Sequence, residues 1–239
     1  MMRVAALIPA YQAAALLGEV LMRLRALEPR PEILVVDDGS RDATAEVARQ
    51  FGARVLSFAG NRGKGYALLA GFAALADFDG VVTLDADGQH PPECLPSFVR
   101  AAESGADLVL GSRNRDASMP LKRRFANGFS SGWASWLAGQ TVSDSQCGFR
   151  LYGRDLLRAT PVTPGRYEVE SEIVVRSARL GFRIAEVEVP TIYGEEKSQI
   201  HAFRDVPRIV GTLARLTAEG LVVPPAMRDA RARRVEAAA

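Results

Sequence analysis

The apolar run Ile33-Leu34-Val35-Val36 constrains the fold more than any other stretch of this chain. A strand with one wet face alternates apolar and polar residues, whereas an unbroken run stopped by Asp37-Asp38-Gly39-Ser40 is expected of a strand covered on both faces. Neighbouring segments supply the covering helices. Arg3 to Ile8 reads as an earlier buried strand, with Pro9-Ala10-Tyr11-Gln12 as its loop. Ala14, Leu16, Leu17, Val20, Leu21, Leu24 and Leu27 then fall at helical spacing until Pro29 and Pro31 stop the helix. Asp42 is the expected N-cap of a second helix, and Val55-Leu56-Ser57 a third strand. The turn Gly60-Asn61-Arg62-Gly63-Lys64-Gly65 feeds a helix from Tyr66 to Leu75. This rhythm predicts an α/β fold, a mixed, mostly parallel sheet flanked by helices.

Ligands of such sheets lie outside the carboxyl ends of the strands. That rule collects Tyr11, Asp37-Asp38 and Asp85-Ala86-Asp87 on one rim, because each cluster follows a strand directly. If Thr83 to His90 is extended, Asp85, Asp87 and Gln89 share a face. Their oxygens suit a hard divalent cation that keeps positions open for phosphate. The same residues also compose an ordinary solvated turn. Asp37 or Asp38 can accept a hydrogen bond from a base edge or a ribose hydroxyl. Arg62 and Lys64, among flexible glycines, are candidates to meet a diphosphate, although glycine turns with exposed cations are common. Their spacing is neither GxGxxG nor GxxxxGK followed by Ser or Thr, which argues against a dinucleotide dehydrogenase or a P-loop ATPase.

Composition bounds the remaining classes. The 239 residues, 48% apolar and 24% charged, fit a soluble domain with a sizeable core. A net charge of +2 gives no global field for nucleic acid. Cys94 and Cys147 form no CxxC pattern, and are expected as reduced thiols in a cytoplasmic protein. Met1 to Ala15 has the outline of a signal peptide, but Pro9 interrupts it and the segment makes sense as a first strand. No apolar run is long enough to span a bilayer.

The motifs Ile8-Pro9-Ala10-Tyr11, Val35-Val36-Asp37-Asp38-Gly39-Ser40-Arg41-Asp42, Asn61-Arg62-Gly63-Lys64-Gly65 and Asp85-Ala86-Asp87-Gly88-Gln89-His90-Pro91-Pro92 resemble, in order, those of family 2 glycosyltransferases. Val109-Leu110-Gly111-Ser112-Arg113, Asp144-Ser145-Gln146-Cys147-Gly148-Phe149-Arg150 and Tyr193-Gly194-Glu195-Glu196-Lys197-Ser198 continue the series. The chain is most similar to the branch that moves mannose or glucose to dolichyl or polyprenyl phosphate. The resemblance implies a GT-A fold, a nucleotide-diphosphate sugar donor and a Mg2+ or Mn2+ ion bridging its phosphates. It places Pro9, Tyr11 and Asp37 or Asp38 on the nucleoside, and makes Asp85 and Asp87 the DxD carboxylates, with Asp87 and Gln89 the direct metal ligands.

An acceptor phosphate needs guanidinium partners beside a donor diphosphate, since like charges repel. Arg113 matches one family position, and Arg123 or Arg124 the second; Lys122-Arg123-Arg124 also reads as a solvated helix start. Phe125, Phe129, Trp133, Trp136 and Leu137 read as a core-facing helical stripe, with contact to a lipid tail as the alternative. Glu168 and Glu170, in a helix running to Leu180, are candidate bases, although acidic residues in a first turn also favour the helix dipole. Asp85 is the other candidate base. Arg183 to Val189 reads as a strand with one buried face. Lys197 matches a basic element that closes over the diphosphate, and His201 has no partner for a zinc site. Val206, Ile209, Val210, Leu213 and Leu216 form a stripe among arginines, on a helix that covers the domain or lies on an anionic membrane surface.

The expected organisation is a catalytic domain over 1–203, with a nucleotide-sugar and metal half (1–112) and an acceptor half (113–203). An amphipathic helix follows over 204–226, then a disordered tail over 227–239. One departure bears on the donor: the family's Tyr-Asn-Glu is Tyr11-Gln12-Ala13 here, so the base is not specified. The expected activity is inverting transfer of a hexose to a lipid phosphate, in the cytoplasm or peripherally at the inner membrane face, without nucleic acid. Alternatives are a family 2 transferase acting on a soluble or glycan hydroxyl, and a nucleotide-sugar binder without turnover.

Overall fold

The computed structural model describes residues 2–113, 131–160, 162, 165, 168–190 and 202–221. Along the chain come β1 (Val4–Ala10), α1 (Ala14–Arg25), β2 (Glu32–Asp37), α2 (Thr44–Gln50), β3 (Arg54–Ser57), α3 (Lys64–Ala74) and β4 (Gly80–Thr83). A 3-10 turn (Pro92–Cys94) leads into α4 (Leu95–Glu103) and β5 (Leu108–Arg113). Helix α5 (131–138), β6 (Arg150–Gly153), α6 (Arg154–Ala159), α7 (Glu168–Arg179), β7 (Ile184–Val189) and α8 (Ala202–Leu221) complete the described chain.

The strands form one sheet in the order β3-β2-β1-β4-β6-β5-β7. Ala5, Ala6, Leu7 and Ile8 are completely buried, as a strand between two parallel neighbours requires. Alternate residues feed opposite layers. Ala6, Ile8, Ile33 and Val35 pack with Leu17 and Leu21 of α1, Ala48 of α2 and Phe98 of α4. Ala5, Leu7, Leu34 and Val36 pack with Leu68 and Phe72 of α3 and Val174 of α7. Leu17, Leu21 and Leu24 are fully buried at helical spacing, and each contributes roughly 1.5–3 kcal/mol of transfer free energy.

Strand β6 is the antiparallel member, inserted between β4 and β5. The sequence reading ends the preceding loop at Phe149 and gives no strand after it. The concealing residue is Arg150, which opens β6 with its side chain completely buried. Strand β7 pairs parallel with β5 at the sheet edge, and its half-buried alternation agrees with the sequence pattern.

Three local expectations need correction. Helix α3 starts at Lys64, two residues before Tyr66, because Gly63 takes a φ of 108° that lets the chain turn into the helix there. The N-cap of α2 is Ala43, not Asp42. Asp42 instead accepts from the Thr44 amide (3.2 Å) and the Ala14 amide (3.1 Å), tying together the starts of α2 and α1. The stripe on α5 is not wholly core-facing. Ala134 packs with Val175, Leu213 and Leu216, and the Trp133 indole donates to Thr217 (3.2 Å), but Trp136 is 70% exposed. Phe125 and Phe129 lie outside the described residues.

Leu213 and Leu216 are buried on the domain, so over this stretch α8 covers it. Glu172 of α7, fully buried, receives Arg176 (2.7 Å) and Arg215 (2.9 Å), and both arginines also pair with Glu219. Among the described residues no helix is long and apolar enough to cross a membrane.

Candidate active site

The parallel strands bring their carboxyl ends to one rim, where the loops are stitched to one another. After β1, Tyr11 is 36% exposed, and Gln12 is a non-glycine residue with a φ of 52°. The Gln12 amide donates to Ser40 Oγ (2.9 Å), and the Ala13 amide to Thr44 Oγ1 (2.9 Å). After β2, Asp37 and Asp38 are buried; Asp37 accepts from the Ser40 amide (3.0 Å). Asp38 accepts from the Arg62 amide (2.7 Å), the Gly63 amide (2.7 Å) and the Asn61 carboxamide (3.0 Å). Its carboxylate therefore shapes the glycine-rich turn. Gly39, with a φ of 73°, lets the two loops meet, since a Cβ there would lie 2.4 Å from the Gly60 carbonyl carbon. The Arg62 guanidinium stacks on Tyr66 (4.7 Å to the ring centroid) and Phe58 (5.3 Å).

The acidic stretch is not extended. β4 ends at Thr83, and the chain turns at Ala86-Asp87, with Gly88 at a φ of 70°. The alternation that would place Asp85, Asp87 and Gln89 on one strand face therefore does not apply. Asp87 accepts from the Gln89 backbone amide (3.0 Å), which closes the turn. Asp85 lies 2.7 Å from Lys64 Nζ, which is also 3.1 Å from Glu170 Oε1. Burial works against the Lys64 charge, but the two carboxylates outweigh it and raise its pKa. Burial pushes the Asp85 carboxyl up, and Lys64 more than reverses this, so Asp85 is held below the usual carboxylate range. A carboxylate so held is a weak base, and Glu170, buried beneath α3, is engaged by the same ammonium.

On the other side of the rim, Arg113 at the end of β5 makes a two-pronged contact with Asp144: Nε to Oδ2 at 2.6 Å and Nη2 to Oδ1 at 3.0 Å. Asp144 also accepts from the Gln146 amide (3.0 Å). Burial would raise its pKa, but the Arg113 hydrogen bonds and charge bring it below the ordinary value.

Loop 144–148 joins the two sides. Thr83 Oγ1 donates to the Gly148 carbonyl (2.8 Å), and Gly148 passes so close to Asp85 that a Cβ would lie 2.3 Å from Oδ2. Arg150 fixes the loop from below, donating to the carbonyls of Cys147 (2.6 Å), Ser145 (2.7 Å) and Glu170 (2.8 Å). Gln146 reaches Ser171 of α7 (2.9 Å).

The described residues thus bring together Lys64, Asp85, Glu170, Arg113 and the loop 144–148. Pro9, Tyr11, Asp37, Asp38 and Arg62 occupy the neighbouring β1–β3 end, and Arg123, Arg124 and Lys197 lie outside the described residues. Sequence reasoning gave Asp144, Arg150 and His90 no individual role beyond their places in the matched motifs. Asp144 and Arg150 stand at the two ends of a motif already singled out, but a lone arginine in sequence gives no sign of being buried. His90 is buried with Nε2 3.8 Å from Cys147 Sγ and Nδ1 without a hydrogen-bond partner; burial lowers its pKa to about 4.

Among the described residues no three His, Cys, Asp or Glu side chains are grouped as a metal cage. The oxygen donors in this stretch are the Asp87 carboxylate, the Gln89 carboxamide and Asp85, whose Oδ1 faces Lys64 and whose Oδ2 lies beside Gly148. An all-oxygen set with few protein ligands fits Mg2+ or Mn2+, completed by substrate oxygens, and does not fit zinc.

Comparison with known proteins identifies the family and the fold. Residues 5–160 match the model of glycosyl transferase family 2. The chain is 35% identical over 210 residues to the undecaprenyl-phosphate mannosyltransferase of Micrococcus luteus, covering 82% of this chain and 85% of that one. It is 37% identical over 184 residues to the dolichyl-phosphate hexose transferase of Haloferax volcanii, covering 75% and 78%. Glucosyl-3-phosphoglycerate synthase from Mycobacterium tuberculosis, crystallised with Mn2+, uridine diphosphate and glucosyl-3-phosphoglycerate, superposes with a TM-score of 0.75 at 24% identity, over 90% of this chain and 80% of that one. The fold is GT-A, and the chain belongs to the family 2 glycosyltransferases.

Proposed function

We propose that the enzyme catalyses a metal-dependent, inverting transfer of a hexose from a nucleotide-diphosphate sugar to a polyprenyl phosphate. One observation supports the reading: the loop 144–148 touches Asp85 through Gly148 and Arg113 through Asp144, so the residues proposed for the cation and for the acceptor phosphate meet at one loop. The mannosyl and hexosyl transferases named above act on lipid phosphates, which favours that acceptor over a hydroxyl.

In this reading Tyr11 and the Asp37-Asp38 loop border the nucleoside, and Arg62 and Lys64 border the diphosphate. Asp87 and Gln89, with Asp85, hold Mg2+ or Mn2+, which supplies electrostatic stabilisation of the leaving diphosphate. Arg113, with Arg123 or Arg124, orients the acceptor phosphate, and Lys197 closes over the donor. An acceptor oxygen attacks the anomeric carbon as the bond to the diphosphate breaks on the opposite face, which inverts the configuration. A phosphate monoester largely ionised at neutral pH is itself the nucleophile, in keeping with the ion-paired states of Asp85 and Glu170. In this reading the protein works peripherally at the inner face of the membrane, in the cytoplasm.

The test incubates the protein with MnCl2, uridine- and guanosine-diphosphate sugars and polyprenyl phosphate, and follows sugar into the lipid phase. Chelation with EDTA should abolish transfer, and the product anomer should be opposite to the donor's. Absence of donor turnover under all these conditions would refute the proposed reaction.

A further inference from the structure

We infer that Asp144 is a positioning residue for acceptor recognition, fixing the guanidinium plane of Arg113 so that one defined edge meets the acceptor phosphate; this rests on the reaction proposed above. Asp144 occupies the Nε and Nη2 hydrogens that face it, at 2.6 and 3.0 Å, which removes rotation about the last torsions of the arginine side chain. The edge carrying Nη1 and the second Nη2 hydrogen is then the one presented for a two-pronged contact with phosphate. A long side chain left free would give up rotamer entropy on binding; one already clamped does not.

Asp144 is itself held in place. It is 3% exposed, accepts from the Gln146 amide, and sits in a loop whose Ser145 and Cys147 carbonyls are gripped by Arg150. Ser145 is anchored separately, its amide donating to Ser131 Oγ (3.1 Å). Arg113 is therefore supported from two directions, the end of β5 and a fixed loop. The pairing also cancels the Arg113 charge, so the clamped guanidinium selects by shape and hydrogen bonding more than by net charge.

The experiment compares the wild type with Asp144→Asn, which keeps shape and one acceptor, and Asp144→Ala. The KM for polyprenyl phosphate should rise roughly tenfold to a hundredfold in Asp144→Ala, the cost of a displaced positioning group, with Asp144→Asn between. Calorimetric affinity for nucleotide diphosphate with Mn2+ should stay within about twofold. The Arg113 Nε–H resonance should be exchange-protected in the wild type and lose protection in Asp144→Asn. An unchanged acceptor KM, equal losses for donor and acceptor, or a protected Arg113 signal in Asp144→Asn would overturn the inference. If the wild type transfers to no lipid phosphate the reaction reading fails, and titration of the resonance with farnesyl phosphate then decides: a saturable shift weakened in Asp144→Asn supports positioning, and no shift refutes it.

Discussion

Replacing Lys64 by methionine tests whether the cation between Asp85 and Glu170 holds the site together. Lys64 Nζ lies 2.7 Å from Asp85 Oδ1 and 3.1 Å from Glu170 Oε1, with the lysine side chain 14% exposed and that of Glu170 3%. Methionine keeps most of the stem and removes only the charge. Glu170 would then be a buried carboxylate without its counterion, and Asp85, at 29% side-chain exposure, would be screened by water only in part. Breaking a buried pair from one side costs about 3–5 kcal/mol, and the exposure of Asp85 puts the expectation near the lower end, about 3 kcal/mol. For a chain of this size that is roughly 6–12 °C in Tm. The assay is thermal unfolding without divalent cations, repeated with Glu170→Gln and with the double variant Lys64→Met/Glu170→Gln. Neutralising both partners removes the uncompensated charge, so the double variant should recover more than about half of the loss. A Tm change below about 2 °C in Lys64→Met, or a double variant as unstable as the sum of the singles, would refute the electrostatic reasoning.

Further outcomes follow from the same geometry. Gly148→Ala sets a methyl against the ion-paired Asp85 carboxylate; it should destabilise by about 1–3 kcal/mol and lower turnover, measured by urea unfolding and sugar transfer, and a neutral result would show that the loop can give way. Cys147 is buried, with its thiol pushed up to about 12, so Ellman's reagent should modify half-buried Cys94 in the native protein and reach Cys147 only on unfolding. Asp144 has a folded pKa below its ordinary 3.8, so the unfolded chain binds the proton first on acidification. Its contribution to stability is present above that value and is lost as pH falls through the folded pKa. Urea midpoints of Asp144→Asn should therefore decline less steeply than those of the wild type below about pH 4, and parallel curves would contradict the assignment.

What the sequence made legible was whatever burial writes into composition. Ile33 to Val36 reads as a strand covered on both faces from its unbroken apolar run and the turn residues that stop it, and Leu17, Leu21 and Leu24 read as a helix stripe from their spacing; all are buried as expected, apart from slight exposure of Ile33. Side chains whose partners are distant in the chain stayed hidden. Asp38 has the chemistry of a nucleoside ligand, but its oxygens go to a turn more than twenty residues on. Arg150 looks like a solvent-facing residue, yet it is a fully buried strut, and it concealed the antiparallel strand that it opens. A shared face for Asp85, Asp87 and Gln89 needs a strand six residues longer than β4, which stops at Thr83 where its pairing with β1 stops.

The charges on the rim give a reason for a cation that does not depend on the motif. Lys64, Arg113 and Arg150 are set against Asp85, Asp144 and Glu170, with Lys64 and Arg113 in direct ion pairs and Arg150 on carbonyls. That group is neutral before any substrate arrives. Asp37, Asp38 and Asp87 stand beyond it, with Arg62 as the nearby cation, so the described rim carries an excess of negative charge. A diphosphate and an acceptor phosphate would meet repulsion there, all the stronger as substrates exclude water and the effective dielectric falls. Positive charge must therefore arrive with the donor or close over it. A divalent cation on Asp87 and Gln89 meets the first requirement, and Arg123, Arg124 and Lys197 are the residues of this chain available for the second. On this account a cation proposed for the acidic turn would offset negative charge that the rim's own residues leave uncompensated, while Lys64 holds one oxygen of Asp85.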